Sequence, residues 1–191
     1  PSGGTPVDAI RTMSGARATL ELGDSLRGNP KSAGSLLSER FGVEKVSLTL
    51  PVGIQATDDF IDTLSLLSHL EIPDDIDAER GRLVDSMVDA HKIVFGKRAV
   101  VYGESDLVIG LTSFLCEIGV TPVLCVCGGK TGRFETTLRS VVPDLPAETI
   151  IRDGADFADI THETRQLSPD FLIGNSKGYG LARELGVPLI R

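Results

Sequence analysis

"RAVVYGESDLVIGLTSFLCEIGVTPVLCVCGG", Arg98 to Gly129, decides the fold. It opens on a short β-branched run, passes into a stretch with apolar residues at helical spacing, and returns to a second apolar run ending in two glycines. A strand buried on one face alternates apolar and polar residues, and neither "AVVY" nor "PVLCVC" does so. Unbroken apolar runs mark strands covered on both faces, as in a parallel sheet between two layers of helices. The same alternation continues to the end of the chain through "RFETTLRSVV", "ETIIRDG", "DFADITHETRQL", "DFLIGN", "GYGLAREL" and "VPLIR". Five strands and four intervening helices predict an α/β fold, a Rossmann-like doubly wound parallel sheet with helices on both faces. Ser105 or Asp106 is expected to cap the first of these helices, and Gly119 and Gly186 to stand at helix C-termini.

Upstream the elements are fewer. "ARATLEL" and "KVSLTLP" read as strands on either side of a helix in "GSLLSERFG". Pro6 is expected at the first position of a helix through "VDAIRTM", and a further helix is expected from about Thr57 to Leu70. "PDDIDAERGRLVDSMVDAHKIVFGK" reads as one long helix, acidic at its start and stopped by Gly96. Its apolar stripe is Leu83, Val84, Met87, Val88 and His91. The expected organisation is a partial α/β domain over 1–72, a linking helix over 73–97 and a Rossmann-like domain over 98–191. Two strands alone make a poor sheet, and the chain opens on Pro1 rather than Met. It therefore reads as a portion of a longer protein.

The balance of charge, −8, argues against nonspecific nucleic-acid binding, which needs a basic footprint. The lack of Trp and the presence of only two Tyr leave little surface on which bases could stack. No apolar run approaches the roughly 20 residues that span a bilayer, and no signal-peptide pattern is present. Three cysteines without a secretory signal point to a reducing, cytoplasmic setting. Cys125 and Cys127 fall on one face of a strand, where small buried hydrophobes are the simpler reading than zinc ligands.

In open parallel sheets ligands sit beyond the carboxyl ends of the strands, where the winding direction reverses. That rule selects the loop from Tyr102 to Asp106 and the loop from Gly174 to Gly180, with Cys127 to Arg133 near the same rim. The candidate cofactor-binding residues are Glu104, Ser105, Lys130, Asn175, Ser176 and Lys177. A dinucleotide is not expected, because the first loop lacks G-x-G-x-x-G and its Glu104 and Asp106 would repel a pyrophosphate. Lys130, Arg133 and Lys177 suit an anion, although each taken alone reads more readily as a solvated loop charge. On the long helix Asp85 and Asp89 share a face and are candidate metal ligands. Two oxygens are too few without another segment, and Arg82 and Lys92 offer local pairing instead. His69, His91 and His162 lie on predicted helices, and no nucleophile–histidine constellation stands out.

Four segments, "SGGTP" (Ser2–Pro6), "LPVGIQATDDF" (Leu50–Phe60), "ERGRLVDSMVDAHKIVFGKRAVVYGESDLVIGLTSFLCEIGVTPV" (Glu79–Val123) and "PDFLIGNSKGYG" through "VPLIR" (Pro169–Arg191), resemble in this order the β-type subunits of the nitrogenase superfamily. The resemblance implies the second and third Rossmann-like domains of a three-domain subunit, the second being partial, and chains of the family continue beyond Arg191. From Tyr102 onward the chain most resembles the NifN branch, the β-type subunit of the scaffold that matures the iron–molybdenum cofactor. The long helix is equally similar to the NifK branch, the β subunit of the molybdenum–iron protein, and the reading favours the scaffold. The implied function is iron–molybdenum cofactor biosynthesis in nitrogen fixation, or alternatively dinitrogen reduction. The implied partners are an α-type subunit (NifE-like or NifD-like), a second β-type subunit in a heterotetramer, and an ATP-dependent iron protein. The implied cofactors of the intact complex are an iron–sulfur cluster and the iron–molybdenum cofactor precursor. The cluster-ligating cysteines of the family lie upstream of Pro1, so Cys116, Cys125 and Cys127 are not matched to them. Asp85 and Asp89 match helix aspartates that in the NifK branch help hold a metal between two β subunits. No catalysis is expected of this portion alone. A different class of reading is a self-sufficient domain that binds a small anion through Lys130 and Lys177.

Overall fold

The computed structural model describes residues 4–25 and 31–191. The first part holds helix α1 (Val7–Arg11), strand β1 (Ala18–Leu22), helix α2 (Ala33–Phe41), strand β2 (Glu44–Leu48) and helix α3 (Ile54–Ser68). Strands β1 and β2 pair in parallel, with Ala18 opposite Glu44 and Leu22 opposite Leu48. Pro6 is the residue that caps α1 rather than its first helical residue, in extended backbone. Helix α3 starts three residues before the expected Thr57, because its first amides find acceptors elsewhere in the fold, as described below. His69 closes α3 in the left-handed conformation instead of lying within it.

Helix α4 (Asp74–Val94) follows, with acidic residues in its first turn. None of its residues is buried. Val84 and Met87 are half-buried, whereas Leu83 is 49% and Val88 69% exposed. The predicted stripe is thus only partly covered. Phe95, just past the helix, is 66% exposed and stacks on His91 with ring centres 4.7 Å apart. Among the described residues no helix is long and apolar enough to cross a membrane.

The remaining elements are β3 (Arg98–Gly103), α5 (Ser105–Glu117), β4 (Thr121–Cys127), α6 (Phe134–Val141), β5 (Ile150–Asp153), α7 (Phe157–Leu167), β6 (Phe171–Ile173), α8 (Tyr179–Leu185) and β7 (Leu189–Ile190). All five strands are parallel, in the order β5-β4-β3-β6-β7. The unbroken apolar runs are explained by two cores. Ala99, Val101, Cys125, Cys127 and Ile151 face one way and pack with Val108, Ile109 and Leu115 of α5 and Phe134 and Leu138 of α6. Val100, Tyr102, Leu124, Val126 and Leu172 face the other way and pack with Ile160 of α7 and Leu181 and Ala182 of α8. Val100, Val101 and Leu124 are wholly buried, and full burial of such a side chain stabilises by roughly 1.5–3 kcal/mol.

Helix α5 also joins the two parts. Glu104, not Ser105 or Asp106, stands at its N-cap, so the predicted caps fall inside the helix. Asp106 reaches out of the helix and accepts from the Ser25 amide at 2.8 Å and the Ser25 hydroxyl at 2.5 Å. Two turns from its end, Gly110 lies against Val52, where an added Cβ would sit 3.4 Å from the valine Cβ. At its end, Glu117 accepts from the amides of Ile54 at 2.8 Å and Gln55 at 3.2 Å. These are the first free N–H groups of α3, which has no side-chain cap of its own. Gly53, at φ 89°, admits this carboxylate, since a Cβ there would come within 2.6 Å of Glu117 Oε2.

Substitutions along this edge are expected to differ in sign. Gly110→Ala gains helix propensity, up to about 1 kcal/mol, and makes only an ordinary contact with Val52. Gly110→Leu pushes the Leu50–Val52 segment off the helix and costs about 1–3 kcal/mol. Glu117→Ala uncaps α3 and costs about 1 kcal/mol. Urea denaturation of the three variants checks the order.

Candidate functional site

The winding direction reverses between β3 and β6, and the loops beyond their carboxyl ends wall a cavity of about 580 Å³. Glu104, Asn175 and Lys177 line it, so the structure brings three of the six predicted crevice residues together. Ser105 faces a separate, smaller cavity of about 220 Å³ shared with Asp24, Ser25 and Arg133. Lys130 and Ser176 do not line the main cavity. Sequence reasoning missed Arg191 and Asp156 on its polar wall and Leu107, Leu111, Phe157 and Ile160 on its apolar wall. The four apolar residues carry a helical-face signal, but nothing local says which face turns toward the crevice.

Glycines in the β6–α8 loop serve an aromatic neighbour. Tyr102, 4% exposed at the end of β3, lays its ring across the loop and donates its hydroxyl to the Asn175 carbonyl at 2.8 Å. A Cβ on Gly174 would come within 2.3 Å of the ring, and one on Gly178 within 1.9 Å of the phenol oxygen. Neither glycine needs a left-handed backbone. Both are required by close approach. Burial raises the Tyr102 phenol above its usual value, with the loop backbone opposing, so it stays a neutral donor. The ring meets Phe157 edge-on at 5.7 Å. Asn175 caps the following turn, its side chain accepting from the Lys177 amide at 3.1 Å.

The loop after β4 has a glycine-rich, anion-loop appearance, yet its amides are already engaged. Asp153 at the end of β5 accepts from the Thr131 amide at 2.8 Å, the Gly132 amide at 2.6 Å, the Thr131 hydroxyl at 3.1 Å and the Cys127 thiol at 3.3 Å. Burial pulls the Asp153 carboxyl upward, but these donors outweigh it and hold it below its ordinary value. The expectation that Lys130 helps bind an anion therefore loses its backbone cradle. Lys130 instead packs its backbone and Cβ near Gly154.

The thiols do not form a ligand set. Burial pushes Cys125 up to about 12 and Cys127 and Cys116 up to about 11. Cys125 and Cys127 are wholly buried in one core, as small hydrophobes would be. An iron–sulfur cluster needs thiolates, so these three residues do not fit one. Asp85 and Asp89 are exposed on α4. Arg82, the local partner expected for Asp85, turns instead to Glu79. Among the described residues no group of three or more His, Cys, Asp or Glu comes together to hold a metal. A cation at Asp85 and Asp89 would require ligands from beyond the described residues.

A family model described as "Nitrogenase component 1 type Oxidoreductase" matches residues 1–191. The "Nitrogenase molybdenum-iron protein beta chain" of Methanothermobacter thermautotrophicus is 35% identical over the whole chain, which covers 41% of that relative. The protein of the same name from Clostridium pasteurianum is 30% identical, again over the whole chain and 41% of the relative. The solved structure "Nitrogenase Cp1 at pH 6.5" superposes with a TM-score of 0.92 at 30% identity, covering all of this chain and 41% of that one. "Nitrogenase Cp1 at pH 5" superposes at 0.62 with 14% identity and shares the fold alone. The chain thus spans about two fifths of the length of the relatives it matches.

Two outcomes are expected at this rim. Gly178→Ala destabilises the protein, and Tyr102→Phe in the same molecule restores part of the loss by removing the oxygen that the new methyl meets; thermal unfolding of single and double variants measures this. The Asp153 contribution is present above its unfolded value near 3.8 and disappears as pH falls through the lower folded value. The stability gap between wild type and Asp153→Asn, followed by urea denaturation, therefore narrows from pH 5 toward pH 3.

Proposed function

Because this chain belongs to the nitrogenase component 1 type oxidoreductase family, we propose that it forms part of the β-type subunit of a molybdenum–iron protein and serves dinitrogen reduction in nitrogen fixation. The observation that carries this reading is a likeness that runs without interruption from one end of the chain to the other and includes both sheets. In this reading the portion supplies architecture and contacts. Its partners are an α-type subunit, a second β-type subunit in a heterotetramer, and an iron protein. The iron–sulfur cluster takes its thiolates from outside this chain, since the cysteines here do not suit it. The exposure of Leu83, Val88 and Phe95 along α4 supports a helix covered by another chain. Asp85 and Asp89, on the opposite face of that helix, supply part of an intersubunit metal site in the same reading. The organisation we propose is a partial α/β domain over 1–72, the helix over 73–97 and a Rossmann-like domain over 98–191. The free thiols of Cys116, Cys125 and Cys127 support a cytoplasmic setting.

A second reading, the β-type subunit of the cofactor-maturation scaffold, rests on the resemblance of the chain from Tyr102 onward to that branch. In it the complex holds an iron–molybdenum cofactor precursor and passes electrons to it from the iron protein. The test is anaerobic purification of the complex that contains this chain, followed by assay with the iron protein and ATP. Ammonia formation from dinitrogen is the expected result. Transfer of a metal cluster to an apo molybdenum–iron protein, with no ammonia formed, would replace the first reading by the second. A protein that copurifies with no α-type subunit would overturn both.

A further inference from the structure

We propose that the crevice above β3 and β6 binds a small organic carboxylate with an apolar body. The inference stands on the cavity and holds under either functional reading. At about 580 Å³ the space falls among ordinary ligand pockets, which run from roughly 300 to 1,000 Å³. One wall is apolar, built from Leu107 and Leu111 of α5 and Phe157 and Ile160 of α7. Leu107 is 46% exposed although it sits beside a fully formed core.

The opposite wall carries two cations, Lys177 and Arg191. Neither forms an ion pair among the described residues, whereas Arg80, Arg82, Arg139, Arg152 and Arg165 all do. The backbone bearing Lys177 is held in place before any ligand arrives. Asn175 caps it from one side, and the Tyr102 hydroxyl holds the Asn175 carbonyl from the other. Such preorganisation reduces the ordering cost of binding.

Two carboxylates limit the charge of the occupant. Asp156 is engaged in capping α7, accepting from the amides of Ala158 and Asp159. The Glu104 side chain forms no hydrogen bond or ion pair among the described residues and faces the same space. The wall is therefore close to neutral, which favours a monoanion over a phosphate dianion. The amides that would cradle a phosphate in the neighbouring loop are already bound to Asp153. A carboxylate paired with the guanidinium of Arg191 and the ammonium of Lys177, with its hydrocarbon on the leucine and aromatic wall, fits both halves of the cavity.

Isothermal titration calorimetry of the purified protein with sodium hexanoate at fixed ionic strength tests this. Hexanoate is expected to bind saturably, and acetate much more weakly, by about fourfold for each methylene removed. Lys177→Gln and Arg191→Gln should each weaken hexanoate about tenfold, while Glu104→Gln should tighten it about threefold. All three side chains are exposed, and circular dichroism confirms that the variants fold. Absence of saturable binding up to about 10 mM, hexanoate affinity unchanged in both cation variants, or inorganic phosphate binding as tightly as hexanoate would each overturn the proposal.

Discussion

Helix α5 is the constraint on which the rest of the molecule depends. Its inner face buries Val108, Ile109 and Leu115 against the five-stranded sheet, and its outer edge carries Asp106, Gly110 and Glu117. At about 100° per residue, those three positions fall within about 40° of one another, so a single stripe meets the first part of the chain three times. The two ends supply carboxylates to amides that have no partner inside their own segments, and the middle supplies a gap where the chain before α3 can lie close. A parallel pair of strands is too small to stand alone. Here it is held by a helix that belongs to another sheet.

The fold was legible where hydrophobic patterning dominates. The runs at Ala99–Tyr102 and Pro122–Cys127 announced strands covered on both faces, and the side chains of Ala99–Tyr102 and Leu124–Cys127 enter the two cores alternately. Features that depend on distant parts of the chain were not legible. Asp106 looked like a local cap, because Asp near a helix start usually is one; its partner Ser25 is 81 residues away. The start of α3 was placed late because its cap comes from Glu117, with no signal in the neighbouring sequence.

The candidate site was legible in position and less so in content. The rule of the winding reversal led to the crevice, and Glu104, Asn175 and Lys177 are there. Lys130 was selected because its loop was expected near the same rim, but amides of that loop are already bound to Asp153. The loop from Gly174 to Gly180 was selected by position as a wall of the crevice, and two of its glycines make room for Tyr102. In each case composition alone does not distinguish a backbone made open for a guest from one made open for a side chain of the same molecule.

Hydrogen–deuterium exchange on the wild type and on a protein carrying both Asp106→Asn and Glu117→Gln tests the central claim most directly. If α5 holds the first part in place, amides of β1, β2 and the opening turns of α3 lose protection in the double variant while those of β3 and β4 keep it. Equal protection of β1 and β2 in both proteins would contradict the account, because the two-stranded sheet would then owe its stability to something other than this helix.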